Sequence, residues 1–453
     1  MSRTAQPTTM QRTLLTGLFW ILLANVIVKP LWILGIEVGV QNSVGNEMYG
    51  FYIATFNLSY ILNILLDLGI TNFNTRNIAR HPQLISKHLS GILTIKGALF
   101  ALYLVVTFTV GALLGYGSNE FRLLAWLTAA QFLNSLILYL RSNLEGLMLF
   151  RWDSLFSVLD RLLMIVICGF LLWQPHPASA NHPFTIYTFV YAQVAAYGVT
   201  ALLALFVVAR KAHLRRLRLN IPFALTVLRR SAPFALLVLL MASYNRIDPI
   251  LLRSIAGNAQ AGIYAGAFRL LDALTMVAYL VSVPLLPIFS RLCKEGNNDD
   301  LVGVLRLVFW PMMLFAAGIA TLCAVFASPL MELLYPGRGN DYVPVFRVVI
   351  FGLIPIGITY IFGTLLTAAG RLRQLNLFAA ATLVLNVGVN LLLIPHWGAT
   401  GSACASLTAQ SFMALAQLAV AVHLFHLPPH AFLPPSPAHL KGLLSLLPHA
   451  KQK

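Results

Sequence analysis

Long apolar segments recur along the whole chain and are separated by short polar stretches. A helix of about 20 residues crosses the roughly 30 Å hydrocarbon core of a bilayer, so each such segment predicts one membrane-spanning helix. The ninth segment is longer than a bilayer requires, and we expect its end to lie along or beyond the outer surface. The pattern predicts an all-α polytopic membrane protein with twelve transmembrane helices, at residues 13–38, 48–70, 90–115, 120–140, 155–173, 184–209, 231–253, 262–288, 303–334, 345–369, 374–394 and 400–426.

Composition agrees with this class of protein. Hydrophobic residues make up 58% of the 453 positions and charged residues only 10%, whereas soluble domains carry about 25% charged residues. The first apolar segment is too long for the hydrophobic region of a signal peptide, so we expect an uncleaved first span. The histidines and the four cysteines show no metal-ligand spacing, so the sequence predicts no metal site, and packing is the expected role of the cysteines.

Lysine and arginine are concentrated in alternate loops. With the N-terminus inside, the inner loops hold most of the basic residues, including the run between residues 210 and 230, and the outer loops hold few. The positive-inside rule therefore predicts that both termini lie in the cytoplasm. The net charge of +17 (31 basic minus 14 acidic residues) lies mainly beside membrane spans, so we expect contact with anionic lipid headgroups and no binding of nucleic acid.

Two short stretches half a chain apart are similar to each other. Residues 44–58, VGNEMYGFYIATFNL, and residues 256–270, AGNAQAGIYAGAFRL, share six identical positions, including the pair Gly50 and Gly262. Close helix packing is the expected role of the individual glycines, but the shared spacing indicates a duplication. Because six helices separate the copies, both cross the membrane in the same direction, and the sequence predicts a parallel repeat of two six-helix lobes.

The division into lobes follows the long basic loop. We expect an N-terminal lobe at residues 1–209, a basic cytoplasmic linker at 210–230, a C-terminal lobe at 231–426 and a proline-rich cytoplasmic tail of little fixed structure at 427–453. Transporters built from such repeats hold their cargo in the cleft between the bundles.

Several charged residues lie inside predicted spans, where a charge costs about 3 kcal/mol on insertion scales. They are Lys29 in helix 1, Arg246 and Asp248 in helix 7, and Arg269 and Asp272 in helix 8. The three cations lie at similar depths with only partial acidic compensation, so they predict an anion-binding site in a central cavity. The alternative is that the arginines and aspartates form local structural pairs and that Lys29 snorkels outward.

Polar residues accompany these charges. Asn25, Asn57 and Asn63 add amides to helices 1 and 2, where they either line the cavity or hydrogen bond to a neighbouring helix. These asparagines and the two aspartates are the candidates for cavity polar groups and for ion coupling. Where the first copy of the repeat has Asn57, the second has Arg269, which makes Arg269 the leading candidate for cargo binding.

Two further charges lie near the inner ends of helices 2 and 3. Asp67 and Lys96 are expected at the membrane interface, snorkelling or capping a helix end.

Several stretches resemble one family of membrane proteins. They are RIDPILLRSIAGNAQAGIYAGAFRLLDAL at the junction of helices 7 and 8, LPIFSRL at the end of helix 8, NVGVNLLLIPHWGATGSACASLTAQ from helix 11 onwards, DLGITNFNTRNIAR after helix 2, and RSNLEGLMLFRWDSLFSVLDRLL across helices 4 and 5. In this order they resemble the polysaccharide biosynthesis (O-antigen flippase) family of the multidrug/oligosaccharidyl-lipid/polysaccharide (MOP) exporter superfamily, over nearly the whole chain.

The resemblance implies two six-helix lobes in a V shape around a central cationic cavity. It also implies a flippase of the bacterial cytoplasmic membrane that carries undecaprenyl-pyrophosphate-linked oligosaccharide to the outer leaflet by alternating access, for O-antigen or other surface polysaccharide. Lys29, Arg246 and Arg269 would receive the pyrophosphate through charge-assisted hydrogen bonds. A polysaccharide polymerase and glycosyltransferases are the implied partners, no cofactor is expected, and proton and sodium both stay open as coupling ions.

Two relatives within the superfamily are alternatives. Multidrug and toxin extrusion antiporters also have twelve helices, but they typically rely on acidic cavity residues, and the cavity expected here is net basic. Lipid II flippases usually carry two additional helices. A membrane enzyme acting on lipid-linked sugars is disfavoured because the outer loops are short and hold no Walker-type loop and no metal-spaced histidines. We therefore expect a transporter and not an enzyme.

Overall fold

The computed structural model is built from helices. It describes residues 28, 30–71, 74, 75, 78, 83, 85–173, 184–210, 236–296 and 298–432. Within these ranges every regular element is helical. Asn25, Lys29, almost all of the basic linker and the tail beyond Phe432 lie outside the described residues.

A π-helical turn at Leu31–Glu37 leads into the first long helix. The helices named below are α1 (Val38–Leu62), α2 (Ile85–Leu113), α3 (Ser118–Gly146), α4 (Phe150–Phe156), α5 (Leu159–Trp173), α6 (Ile186–Ala209), α7 (residues 236–246), α8 (Asp248–Ala256), α9 (Asn258–Glu295), α10 (Asn298–Val325), α11 (Ala327–Leu334), α12 (Gly339–Val349), α13 (Leu353–Ala368) and α14 (Leu372–Phe425). Short 3₁₀ turns lie at Asn63–Leu66, Ile350–Gly352 and Pro429–Phe432.

Nine helical segments of the described chain are long and apolar enough to cross a membrane. Two of them, Leu31–Leu66 and Leu372–Phe425, each contain two of the predicted helices. The predicted helix 7 corresponds to the broken pair α7 and α8. With these breaks included, the described residues hold the predicted twelve helices, the first of them only from residue 28 onwards.

The connections at two of the breaks are tighter than the sequence predicts. Loops were expected at residues 39–47 and 395–399, but helical structure continues through both stretches except at Gly45 (φ 81°) and Gly398 (φ 52°). Glycine reaches positive φ without a steric penalty because it has no Cβ. One residue at each position is therefore enough to redirect the chain between two helices.

Helix boundaries differ from the prediction at three further places. The predicted helix 7 divides at Ile247, and Pro249 occupies the first turn of α8, where its missing N–H costs no intrahelical hydrogen bond. In α9, Pro284 and Pro287 do not end the helix, which continues to Glu295 instead of residue 288. The long ninth helix divides at Phe326 into α10 and the short amphipathic α11.

The chain forms two compact units. The first comprises Met1–Ala242 and Gly257–Gly262, and the second comprises Ser243–Ala256 and Ile263–Lys453. The core of the first unit includes Leu89 and Leu140, both fully buried. The core of the second is built around Phe289 and Phe362 from α9 and α13.

Residues 257–262 of the second copy contact the first copy within the first unit. A Cβ on Gly50 would lie 1.8 Å from the backbone oxygen of Asn258, and a Cβ on Gly262 would lie 2.0 Å from the backbone oxygen of Asn46. The amide of Gln41 also donates to the backbone oxygen of Gly262 at 2.9 Å. Each glycine therefore occupies the closest point of a reciprocal backbone contact, which explains why both copies keep glycine at this position.

Candidate functional site

In the second unit, charged residues from α7 and α9 meet. Arg246, at the end of α7, forms an ion pair with Asp272 of α9, with 3.8 Å between Nη1 and Oδ2. Both side chains are 36% exposed, and the separation is long for an ion pair. Because charged side chains in a membrane protein face water or the protein interior, this exposed pair marks a polar, accessible surface of the second unit.

Arg269 lies one turn before Asp272 on α9 and is buried, with 3% of its surface exposed. Both arginines are close enough to Asp272 to interact with it electrostatically. Two guanidinium groups and one carboxylate leave this cluster with a net charge of +1. The more accessible of the two cations is Arg246, whereas Arg269 was the leading candidate from the sequence.

Asp248 belongs to a different cluster. It is fully buried, and its carboxylate accepts hydrogen bonds from the Tyr264 hydroxyl at 2.7 Å and from Nδ2 of Asn390 at 2.8 Å. The same Nδ2 also donates to Oδ1 of Asn386 at 2.8 Å. Asn386 and Asn390 lie one turn apart on α14, and both are fully buried. Among the described residues, Oδ1 of Asn390 and Nδ2 of Asn386 have no hydrogen-bond partner.

The break between α7 and α8 explains why the neighbouring charges Arg246 and Asp248 separate. A helix would direct side chains two residues apart about 200° from each other, and the interruption at Ile247 starts a new helix at Asp248. The local pair of Arg246 with Asp248 considered from the sequence is therefore replaced by contacts between helices, whereas Arg269 and Asp272 lie one turn apart on α9 and interact electrostatically. Sequence reasoning missed the partners Tyr264, Asn386 and Asn390, although the asparagine pair spaced by four residues was a visible signal.

The asparagines of the first unit have separate environments. Asn57 is buried, and its Oδ1 has no hydrogen-bond partner among the described residues. Asn63 begins the 3₁₀ turn and donates to Oε1 of Gln131 on α3 at 3.3 Å. The other two candidates, Asn25 and Lys29, lie outside the described residues.

Lys96 is enclosed within the protein and does not snorkel outward, so of the two roles expected from the sequence only helix capping applies. Its side chain is 1% exposed, and its ammonium group donates to Oδ1 of Asp67 at 3.1 Å, to Oγ of Ser135 at 2.7 Å and to the backbone oxygen of Leu66 at 3.0 Å. Leu66 ends the 3₁₀ turn after α1. Lys96 therefore caps a helix end from within the core, because a buried ammonium group requires several oxygen partners.

Comparison with known proteins identifies the family. Residues 14–293 match the model of the family described as "Polysaccharide biosynthesis protein". The chain is also 25% identical over 190 residues to an uncharacterized membrane protein of Methanocaldococcus jannaschii. That match covers 41% of this chain and 43% of the relative, so the aligned region spans less than half the length of that protein.

Solved structures show the same fold at low sequence identity. An inward-facing multidrug resistance MATE family transporter of the MOP superfamily aligns with a TM-score of 0.67, 14% identity and coverage of 90% of this chain and 98% of its own. The lipid II flippase MurJ in an inward closed conformation aligns with a TM-score of 0.65, 13% identity and coverage of 96% and 91%. A MOP superfamily transporter from Pyrococcus furiosus aligns with a TM-score of 0.58, 15% identity and coverage of 92% and 94%.

These findings bear out the resemblance read from the sequence motifs. The family is the one described for polysaccharide biosynthesis, and the fold is the one that these solved transporters adopt. The chain therefore belongs to the polysaccharide biosynthesis protein family, and its all-α membrane fold is that of the MOP superfamily transporters.

Proposed function

We propose that this protein is a flippase that moves undecaprenyl-pyrophosphate-linked oligosaccharide from the inner to the outer leaflet of the bacterial cytoplasmic membrane. Transport proceeds by alternating access and supplies the assembly of a surface polysaccharide. The family supports a role in polysaccharide biosynthesis, and the fold supports transport.

The observation that carries this proposal is the exposed Arg246–Asp272 pair beside the buried Arg269. The paired atoms are 3.8 Å apart and both side chains are 36% exposed, so an incoming anion can approach the guanidinium group of Arg246 from its accessible side. A pyrophosphate offers several acceptor oxygens, and guanidinium groups bind such groups through charge-assisted hydrogen bonds. The net charge of +1 favours an anionic cargo over a cationic one.

We assign ion coupling to Asp248. A buried carboxylate surrounded by amide and hydroxyl groups provides oxygen ligands for a small cation or a position for a proton. Asp248 is fully buried and is held by Tyr264 and Asn390, so a change in its occupancy alters hydrogen bonds that connect α8, α9 and α14. Binding or release of a cation at Asp248 would in this way change the positions of these three helices.

The net charge of +1 on the cluster of Arg246, Arg269 and Asp272 also disfavours the alternative, an antiporter for cationic drugs. The related fold of the Pyrococcus furiosus transporter is described with a binding pocket of reversed polarity and a different function, so this fold accommodates pockets of different charge. Lipid II is an undecaprenyl-pyrophosphate-linked sugar as well, and the chemistry of Arg246 suits both cargoes. Depletion of an endogenous lipid II flippase and rescue by this protein would separate the two.

The proposal is tested with Arg246→Gln in proteoliposomes that contain the lipid-linked oligosaccharide in the inner leaflet. Losing a charge-assisted hydrogen bond to the cargo is expected to slow delivery by about ten- to a hundredfold. Delivery is measured as oligosaccharide that becomes accessible to an external glycosidase. Wild-type delivery by this variant would contradict the anion site.

A matched control comes from the first unit. Arg161 pairs with Asp160 at 3.3 Å and is 35% exposed, so it resembles Arg246 in exposure and in type of partner. Arg161→Gln is expected to leave delivery near the wild-type rate, since a partly exposed pair contributes little to stability. Equal losses in both variants would indicate a general effect of removing charge and not a cargo site.

A further inference from the structure

Two tyrosines continue the polar surface of the second unit beyond the charged cluster. Tyr279 of α9 and Tyr360 of α13 contact each other edge to face, with ring centroids 6.2 Å apart and ring planes at 70°. Tyr360 is also close enough to Asp272 to interact with it electrostatically. The aromatic pair therefore adjoins the Arg246–Asp272 cluster.

The exposed surface of Tyr279 faces the same direction as the charges. Tyr279 is 46% exposed, and it follows Asp272 on α9 by seven residues. Seven residues complete almost two helical turns, which places the two side chains within about 20° of each other around the helix. Because the Arg246–Asp272 pair is exposed in that direction and a charged pair avoids lipid, the exposed ring of Tyr279 lies along the same accessible surface.

The spacing of the two groups indicates the kind of ligand. Seven residues correspond to about 10 Å along the helix axis, so a small anion at Arg246 does not reach Tyr279. A ligand that contacts both has its anionic end at the arginine and uncharged rings farther along. Sugar rings present C–H groups to aromatic faces and hydroxyls to a phenol, and tyrosine offers both an apolar face and a polar tip.

We propose that Tyr279, with its ring held by Tyr360, binds the sugar rings that follow the pyrophosphate of the cargo. This inference rests on the proposed function and adds a subsite for the glycan. Tyr279 supplies the exposed stacking face, and Tyr360 is a positioning residue that holds the Tyr279 ring edge to face. The two arginines bind the anion, and the tyrosines distinguish a glycosylated lipid from a bare one.

The test compares two ligands on the full-length protein in nanodiscs. One is undecaprenyl-pyrophosphate-linked oligosaccharide and the other is undecaprenyl pyrophosphate without sugar. Tyr279→Leu is expected to weaken binding of the oligosaccharide by about five- to tenfold, the scale of one aromatic contact, and to leave binding of the bare lipid unchanged. Tyr279→Phe keeps the stacking face and is expected to retain most of the affinity.

Tyr191→Leu is the matched control, because Tyr191 of α6 is 39% exposed and contacts another tyrosine, Tyr187, at 6.3 Å between ring centroids. It is expected to change binding of neither ligand. Equal weakening of both ligands by Tyr279→Leu, or no weakening of either, overturns the sugar subsite while the anion site stands. If the wild-type protein binds neither ligand, the proposed function fails and this inference fails with it.

Discussion

The two units of this protein hold their membrane-embedded charges in different ways. In the first unit, Lys96 is 1% exposed and has three oxygen partners, Asp67, Ser135 and the backbone of Leu66. In the second unit, Arg246 and Asp272 are each 36% exposed and their atoms are 3.8 Å apart. The ammonium group of Lys96 is enclosed and donates to three protein oxygens, whereas the guanidinium group of Arg246 is accessible to a ligand.

This difference separates structural from functional charge. Both clusters lie within predicted spans, and both consist of a cation and an aspartate from different helices. The sequence predicted that Lys96 snorkels or caps a helix end, and the difference between the two repeats made Arg269 the leading candidate for cargo binding. The structure encloses Lys96 at a helix end and makes Arg246 the more accessible of the two arginines.

The largest expected effect comes from the close helix packing at the repeat glycines of the first unit. Gly50→Ala places a methyl group 1.8 Å from the backbone oxygen of Asn258, and overpacking against backbone costs about 3 kcal/mol or more. We expect loss of monodisperse protein in size-exclusion chromatography. Gly97→Ala in α2, where no atom lies within 4 Å of the added Cβ, is expected to behave like the wild type. Similar yields and melting temperatures of the two variants would contradict the close contact.

The second largest effect is expected for the buried Lys96–Asp67 pair of the first unit. Lys96→Met removes the donor from three oxygen atoms, and breaking a buried pair costs about 3 kcal/mol. Asp67 retains hydrogen bonds from the backbone N–H and hydroxyl of Thr71, so the variant is expected to fold with a lower melting temperature. Delivery of cargo per folded molecule should stay close to that of the wild type. A selective loss of transport without a loss of thermal stability would assign Lys96 a functional role and remove the contrast between the units.

The smallest effect on stability is expected at Asp248. Asp248→Asn keeps the side-chain volume. Joint rotation of the Asn390 and Asn386 amides would turn the unpartnered Oδ1 of Asn390 toward the new amide group and the unpartnered Nδ2 of Asn386 toward Asn390. Folding is therefore preserved, while the negative charge that binds a coupling cation is gone. We expect transport in proteoliposomes to lose its dependence on an imposed proton or sodium gradient. A gradient dependence equal to that of the wild type would show that coupling resides elsewhere.

Much of the fold could be predicted from the sequence because a membrane helix is recognisable from the length and apolarity of its own segment. Length and apolarity located the twelve helices, and the family motifs indicated the MOP fold that the comparisons bear out. Helix ends were less predictable. Gly45 and Gly398 replaced expected loops with single-residue turns, and a glycine in the sequence does not disclose whether its φ is positive.

The candidate site was only partly predictable. The sequence placed charges in helices 7 and 8, but it offered neighbouring residues as partners. The observed partners of Asp248, on α9 and α14, are 16 and 142 residues away. The aromatic pair Tyr279–Tyr360 likewise joins two helices far apart in the chain, and no local pattern brings them together.

The sequence by itself determined that this is a membrane protein of twelve helices with a duplicated motif and rare embedded charges. The length of an apolar segment and the cost of a charge within it depend only on the residues of that segment. Only the tertiary structure decided what those features do. It set the two repeat glycines against each other's backbone, enclosed Lys96 and Asp248 among polar partners, and left Arg246 and Tyr279 partly exposed. The burial and the partners of a side chain depend on which helices pack against each other, and that packing involves residues far apart in the chain.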